Sequence, residues 1–459
     1  MTSDAETSGG ASGAVAAAQS AVPLGIKLGW ATGSIGTVTM LYLVNVFLLY
    51  YLTSYLGIGA ATAGSLLFLT RVYDIIVDPF IGSWTDRTRS RWGRRHPWMV
   101  AGSFVAAIGC ALLFNLHALP LGGLPVTTVA ALVMLVYFTG YTTFYIPHFC
   151  LASEMTRSKD ERTSVMVYRT FLITIAGIGA TAGFPLLIAA WGGKQVSYGR
   201  IGLLAAGIVF VAMLVAVVAT PRQALREEHH PGRLRWADVR ELLRIRPFLC
   251  VLLAKVIGLL GLAFSGPVLL MFLVHAMGRG PSSLALFGLA SGIGGIAGLP
   301  VWSRLARRFD KKRTCILAYV LHASLSLSWW FAAPGEPDAL FALRGFLIGV
   351  FGQGALTLGL AMLLDVLAHD ARASGRAREG LMVGVFALAE KGAFAFGPTL
   401  AALLLGAMGY VSSTSGDAVQ PPEAILAARL AMSVIPATIG TLAILALLPY
   451  RLGSEAERS

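Results

Sequence analysis

The sequence predicts an all-α polytopic membrane protein with twelve transmembrane helices in two six-helix halves, and three observations carry that prediction. The chain of 459 residues is 56% hydrophobic and only 13% charged, about half the charged fraction of an ordinary soluble domain. Its apolar residues fall in long blocks near the ~20 residues a spanning helix needs, whereas a membrane β-barrel would show short alternating segments. Its basic residues crowd into every second loop. With the N-terminus placed in the cytoplasm, the inside loops carry 24 Lys and Arg and the outside loops 3. That asymmetry is the positive-inside pattern, which puts both termini in the cytoplasm. The net charge of +13 is therefore topological, with contact to anionic lipid headgroups as a secondary effect, and does not indicate a nucleic-acid partner.

The blocks begin near Lys27, Ala60, Pro97, Val126, Ser164, Tyr198, Pro247, Ser282, Thr314, Asp338, Leu381 and Ala424. The first opens KLGWATGSIG (27–36), closes YYLTSYLG (50–57) and carries Thr32, Thr37, Thr39, Tyr42 and Asn45. The hydroxyls suit either a cavity wall or bonds to their own helix backbone. The second carries Arg71, Asp74 and Asp78 and ends in a basic turn, GSWTDRTRSRWGRR (82–95). The fourth is broken by Pro147 beside His148, which reads as core packing before proton relay. The sixth runs into the basic segment 221–247, the longest polar stretch after the N-terminal tail. Lys255 on the seventh block and Arg344 on the tenth read as snorkelling cations. The run SGIGGIAG (291–298) in the eighth lacks the lysine of a phosphate loop, and its glycines permit close helix contact. The eighth ends SRLARRFDKKR (303–313), matching the basic turn after the second block, with Asp310 in the place of Asp86. Trp329 and Trp330 end the ninth and read as an interface belt.

The resulting domains are a disordered cytoplasmic tail (1–22), an N-terminal bundle (23–220), a cytoplasmic central loop (221–246), a C-terminal bundle (247–450) and a cytoplasmic tail (451–459). The first tail is small, polar and weakly acidic without a basic n-region, unlike a secretory signal. Cys110, Cys150, Cys250 and Cys315 lie in apolar blocks without metal-ligand spacing and read as buried thiols. There is no nucleophile–base constellation, metal cluster or phosphate loop, so an enzyme is not expected.

The charges in the second block are the main functional signal. Arg71, Asp74 and Asp78 are spaced i, i+3, i+7 and share one helix face. Each carboxylate at the bilayer centre costs roughly 2.5–3.5 kcal/mol, which calls for a bundle interior or a water-filled cavity. Two carboxylates one turn apart offer hard oxygen ligands to Na⁺, or hold a proton when no cation is present. Pro79 removes a backbone donor beside them. An Arg71–Asp74 pair that only locks packing would leave Asp78 unexplained.

Gly82-x-x-x-Asp86-Arg87 followed by Gly93-Arg94-Arg95 resembles the loop signature of the major facilitator superfamily, with Gly82 permitting a close turn and Asp86 pairing with arginines. Within it the chain resembles the glycoside–pentoside–hexuronide:cation symporter family (melibiose permease-like). The match rests on the first block's ends, RVYDIIVDPFIGSWTDRTRSRWGRRHPW (71–98), YIPHFCLASEMTRSKDERTSVMVYRT (145–170), LDVLAHDARASGRAREG (364–380) and EKGAFAFGP (390–398). The resemblance implies a major facilitator fold and a cation site at Asp74 and Asp78, tuned by Arg71. It also places Arg169 and Lys391 near the solute and cation sites. Arg169, one turn inside its helix, equally suits snorkelling. Lys391 could pair across the halves with a second-block carboxylate and couple ion occupancy to rocking, while the role of Glu390 stays open.

Two family acids are missing: Val38 stands where the pattern has an aspartate on the first helix, and Tyr145 where it has one on the fourth. Tyr145 keeps a hydroxyl and a ring face for stacking. The expected function is Na⁺- or H⁺-coupled symport of a small solute, a sugar or glycoside, by alternating access. The alternatives are a cation-coupled carrier of an amphipathic or lysolipid-like solute and a non-transporting sensor. The expected partners are the solute and the lipid bilayer, with no cofactor beyond the coupling ion, a monomeric functional unit and a plasma (inner) membrane location.

Overall fold

A computed structural model describes residues 22–120, 122–156, 158–221, 240–374 and 379–451. The tail expected over 1–22 lies outside them except for Val22, and so do most of the central loop and residues 452–459. Among the described residues there are helices and no strands. Twelve helices are long and apolar enough to cross a membrane. They are α1 (Leu24–Ser54), α2 (Ala60–Arg87), α3 (His96–Leu113), α4 (Val126–Glu154), α5 (Glu161–Ala190), α6 (Gln195–Ala219), α7 (Arg246–Ala276), α8 (Ser282–Phe309), α9 (Lys311–Phe331), α10 (Asp338–Arg372), α11 (Leu381–Ala407) and α12 (Pro422–Leu447).

The helices gather into two compact units that do not follow chain order. One holds the chain up to Tyr42 with Tyr73–Gly179 and Gly199 onward. The other holds Leu43–Val72, Ala180–Tyr198 and the C-terminal helices. In α1 and α5 the change of unit falls where α winding gives way to π winding, at Leu43–Leu48 and Gly179–Gly183. Single π turns commonly mark functional positions in helices.

Within the first unit, α3 and α4 pack at backbone contact. A Cβ on Gly102 would stand 2.5 Å from the Phe144 nitrogen, and one on Gly109 2.6 Å from the Tyr137 Cα. Lipid tails are as apolar as leucine, so such close packing is a main source of attraction between membrane helices. α1 is braced to α4 by a reciprocal pair. The Trp30 indole donates to the His148 carbonyl at 2.9 Å, and His148 Nε2 lies 2.8 Å from the Trp30 carbonyl. A carbonyl only accepts, so Nε2 carries the proton. The His148 ring also stacks on Trp30 and Phe144, which agrees with the packing reading.

Within the second unit, Gly294 and Gly298 of the SGIGGIAG run meet the backbone of Phe346 and Val350 on α10, the close contact expected of them. The first part of α2 packs on α11, where a Cβ on Gly64 would lie 2.6 Å from the Ala402 Cβ. The segment after α11 also joins the end of α1: the Ser413 N–H donates to the Thr53 carbonyl at 2.9 Å, and the Gly57 N–H to the Ser413 carbonyl at 2.8 Å. The cysteines are free thiols, with Cys110, Cys250 and Cys315 buried and Cys150 partly so.

Overpacking of a close contact costs about 1–3 kcal/mol or more. Gly109→Val is expected to lower the thermal unfolding midpoint in detergent and reduce folded protein. Gly25→Ala, with nothing within 4 Å of the added carbon, should leave the midpoint unchanged.

Candidate functional site

The carboxylates of α2 meet a hydroxyl of α4. Asp74 and Thr142 are buried, 4% and 1% exposed, and Asp78 is half-buried. Thr142 Oγ1 lies 2.5 Å from Asp74 Oδ1 and 3.2 Å from Asp78 Oδ1. Three oxygens thus converge, and the hydroxyl has a single proton to offer them. One turn away, Tyr73 and Thr139 approach to 2.7 Å. Thr139 already donates to the Leu135 carbonyl at 2.7 Å, so the tyrosine hydroxyl is the donor. Register between α2 and α4 is therefore set by polar groups on successive turns, with both acids inside it. α2 continues as helix through Pro79, which supplies no N–H to the Ile75 carbonyl four residues back. Two carboxylates and a hydroxyl are oxygen donors of the kind that hard cations prefer. Among the described residues no group of three His, Cys, Asp or Glu converges.

The other predicted site residues spread over both units. Arg71 donates to Asn45 Oδ1 at 3.5 Å, in the π-wound part of α1. Lys391 is half-buried on α11 in the second unit, whereas Asp74 and Asp78 belong to the first. Arg169 stands over the Phe149 ring at 5.4 Å, with its Nε buried and without a hydrogen bond. Tyr145 lies in a ladder along α4, stacked on Tyr141 at 5.3 Å and Phe149 at 6.0 Å. Both neighbours belong to the same helix, one turn to either side, and Tyr145 stays partly exposed. Val38 is part of the α1 helix wall.

The basic turn after α2 is corrected in one respect. Gly82 is helical, and a Cβ there would only touch Ile146 at 4.0 Å. The tight turn belongs to Gly93, at φ +83°, a conformation glycine adopts without strain. Asp86 pairs with Arg95 at 2.6 Å, and Arg95 also reaches Thr85 and Glu154. Arg94 joins Glu154 at 2.7 Å, and Arg87 is the exposed last residue of α2. Three N–H groups of Arg94 and Arg95 converge on Glu154 Oε1 at the end of α4. The second half repeats the scheme with different residues. Lys311 opens α9 and binds Asp365 of α10 at 2.6 Å, and Lys312 caps the Leu448 and Tyr450 carbonyls after α12.

Three expectations outside the acid site are also corrected. Lys255 does not snorkel: it is 9% exposed and lies 3.4 Å from Glu390. Arg344 is equally buried and pairs with Glu336 at 2.5 Å. Trp329 is 1% exposed, ringed by Phe272, Phe287, Phe341 and the Arg344 guanidinium, and only Trp330 is exposed. Each forms part of a tertiary cluster that flanking polarity does not reveal. Thr142 and Glu154 were missed because neither carries a local signal. Their partners lie 59–68 residues away in sequence.

A family profile described as MFS/sugar transport protein matches residues 29–454. A protein named as an uncharacterized symporter from Synechocystis sp. is 27% identical, over 90% of this chain and 91% of its own. The isoprimeverose transporter of Lactiplantibacillus pentosus is 24% identical, over 89% of this chain and 85% of its own. The crystal structure of the nucleoside transporter NupG aligns with a TM-score of 0.64 at 11% identity, over 93% of this chain and 99% of that one. That likeness shows the fold.

Removing one partner from a buried ion pair costs about 3–5 kcal/mol. With Glu154 and Arg95 at 6% and 7% side-chain exposure, Glu154→Ala is expected to lower the unfolding midpoint well below that of Arg87→Ala. Thermal unfolding in detergent checks this, and equal midpoints would refute it.

Proposed function

Because the chain belongs to the MFS/sugar transport protein family, we propose that it is a secondary active transporter coupling movement of a small hydroxylated solute, a sugar or glycoside, to Na⁺ or H⁺. The chain is a multi-pass membrane transporter and not an enzyme. The observation that carries the coupling is the meeting of the Asp74 and Asp78 carboxylates at one Thr142 hydroxyl. A cation entering there replaces repulsion between the carboxylates with attraction and ties α2 to α4. A proton on either acid does the same by supplying the second donor. Occupied and empty sites then favour different arrangements of the bundle, which is what coupling requires. One charge moving down 100 mV provides roughly 2.3 kcal/mol of uphill drive.

In this reading Arg71 tunes the acids, and Arg169, Lys391 and Tyr145 serve solute binding or coupling. Lys391→Ala that left the cation dependence unchanged would remove Lys391 from the coupling role. The helix end at Gly82, Asp86 and Arg87 with Arg94 and Arg95 beyond the Gly93 turn acts as a cytoplasmic gate. The protein works as a monomer in the plasma (inner) membrane with both termini in the cytoplasm, and needs no cofactor beyond the coupling ion. An amphipathic or lysolipid-like solute is a second reading, favoured by the apolar Val38.

The test is uptake by proteoliposomes across glycosides, pentosides and lysolipids, with and without Na⁺ and pH gradients. Gradient-driven uptake is expected. Asp74→Asn and Asp78→Asn should each cut it roughly tenfold or more, the loss of one strong charge-assisted interaction. Thr142→Val should raise the cation concentration for half-activation, and Thr142→Ser should restore it. Uptake by the parent protein that ignores both gradients would reject symport. Flux absent from every variant and parent alike would favour a sensor.

A further inference from the structure

The second unit contains an ion pair inside its membrane helices that the cation site does not use. Lys255 of α7 and Glu390 of α11 approach to 3.4 Å, Nζ to Oε1. The pair is lopsided, for the lysine side chain is 10% exposed and the glutamate side chain 38%. The ammonium lies 5.8 Å from the Phe386 ring on α11, and the lysine stem passes close to Gly359 of α10. The cation is therefore enclosed while the anion stays partly exposed. Lys391, the next residue, projects about 100° away around the helix.

Stability does not explain the arrangement. A buried ion pair is commonly no better than apolar residues of similar volume, and each charge within a bilayer carries an insertion cost. The ammonium cancels the carboxylate charge, so the pair has little net pull on a free cation. An ionised carboxylate is only an acceptor, and with 38% of its side chain exposed Glu390 leaves room for a neutral donor. The donor group that fits is a hydroxyl, whose bond to a carboxylate is charge-assisted and selective.

We infer that Glu390, held in place by Lys255, accepts a hydrogen bond from a hydroxyl group of a neutral sugar or glycoside. The inference rests on the transport reading above and names a solute contact in the C-terminal half. It supplies an acceptor of the kind that Val38 and Tyr145 do not provide on α1 and α4. The acceptor is on a different helix from the acids proposed to hold the cation, so the two occupants are read separately.

The test uses proteoliposomes and methyl β-D-xyloside, methyl β-D-glucoside and methyl β-D-galactoside, each with its monodeoxy analogues. For the best of the three, one monodeoxy analogue should raise the parent protein's KM about tenfold, the worth of one such hydrogen bond. Glu390→Gln keeps a neutral acceptor but loses the charge, so it should raise KM for the complete glycoside by part of that factor and weaken the effect of that same deletion. Its cation half-activation should stay within about twofold of the parent value. Glu390→Asp should fall between. The paired change Lys255→Met with Glu390→Gln removes both charges and should keep the unfolding midpoint while showing the same loss, which separates recognition from folding.

The inference is overturned if Glu390→Gln keeps the parent KM and deoxy pattern, or shifts cation dependence instead. It is also overturned if the parent protein takes up lysolipids and none of the glycosides. Parent uptake that ignores both ion gradients rejects symport only, and the deoxy pattern still decides Glu390.

Discussion

Inside a bilayer a polar group has no water to turn to, so each must find its partner within the protein. That constraint organises the structure at every level. Thr32 and Thr37 bond to carbonyls of their own helix, at Gly29 and Ser34. Thr53, Thr70 and Ser103 do the same. Thr37, Thr70 and Ser103 satisfy themselves within their own turn, whereas Thr32 also reaches the Ala212 carbonyl of α6 at 3.2 Å. Thr142 and Tyr73 spend their hydroxyls between helices, and there the register of α2 on α4 is set. The ionisable groups obey the same rule at higher stakes, as in Lys255 with Glu390 and Arg344 with Glu336.

The two halves use one plan with different chemistry. At the start of the third helix of each half a basic residue reaches back to an acid near the end of the fourth: Arg94 and Arg95 to Glu154, and Lys311 to Asp365. The first version is buried and multiply bonded through a single oxygen. The second has about two-fifths of each side chain exposed. A buried network breaks at high cost and an exposed one at little, so the paired loops are unequal as latches although equivalent in position.

Glycine provides the other half of the packing. Where α3 meets α4 and α8 meets α10, backbones touch because no side chain intervenes. Leucine against leucine would gain nothing over leucine against lipid. Close backbone approach and polar contacts between helices are what remain to hold the bundle.

The number of spans, the positions of their ends and the anomalous face of α2 were legible in the chain, because they follow from local composition and helical spacing. Hydrophobic length defines a spanning helix, and i, i+3, i+7 places Arg71, Asp74 and Asp78 together whatever surrounds them. The roles of Gly82, Trp329, Lys255 and Arg344 were misread for the complementary reason. Each looked like a turn, a belt or a snorkelling cation from its flanks, and each is decided by what packs against it. Thr142 and Glu154 gave no signal, since a threonine within an apolar helix and a glutamate at its end are ordinary until a partner from another helix is placed. The sequence by itself determined which segments enter the membrane and which charges must be excused there. Only the tertiary structure decided which groups excuse them, because pairing depends on contacts between residues tens to hundreds of positions apart.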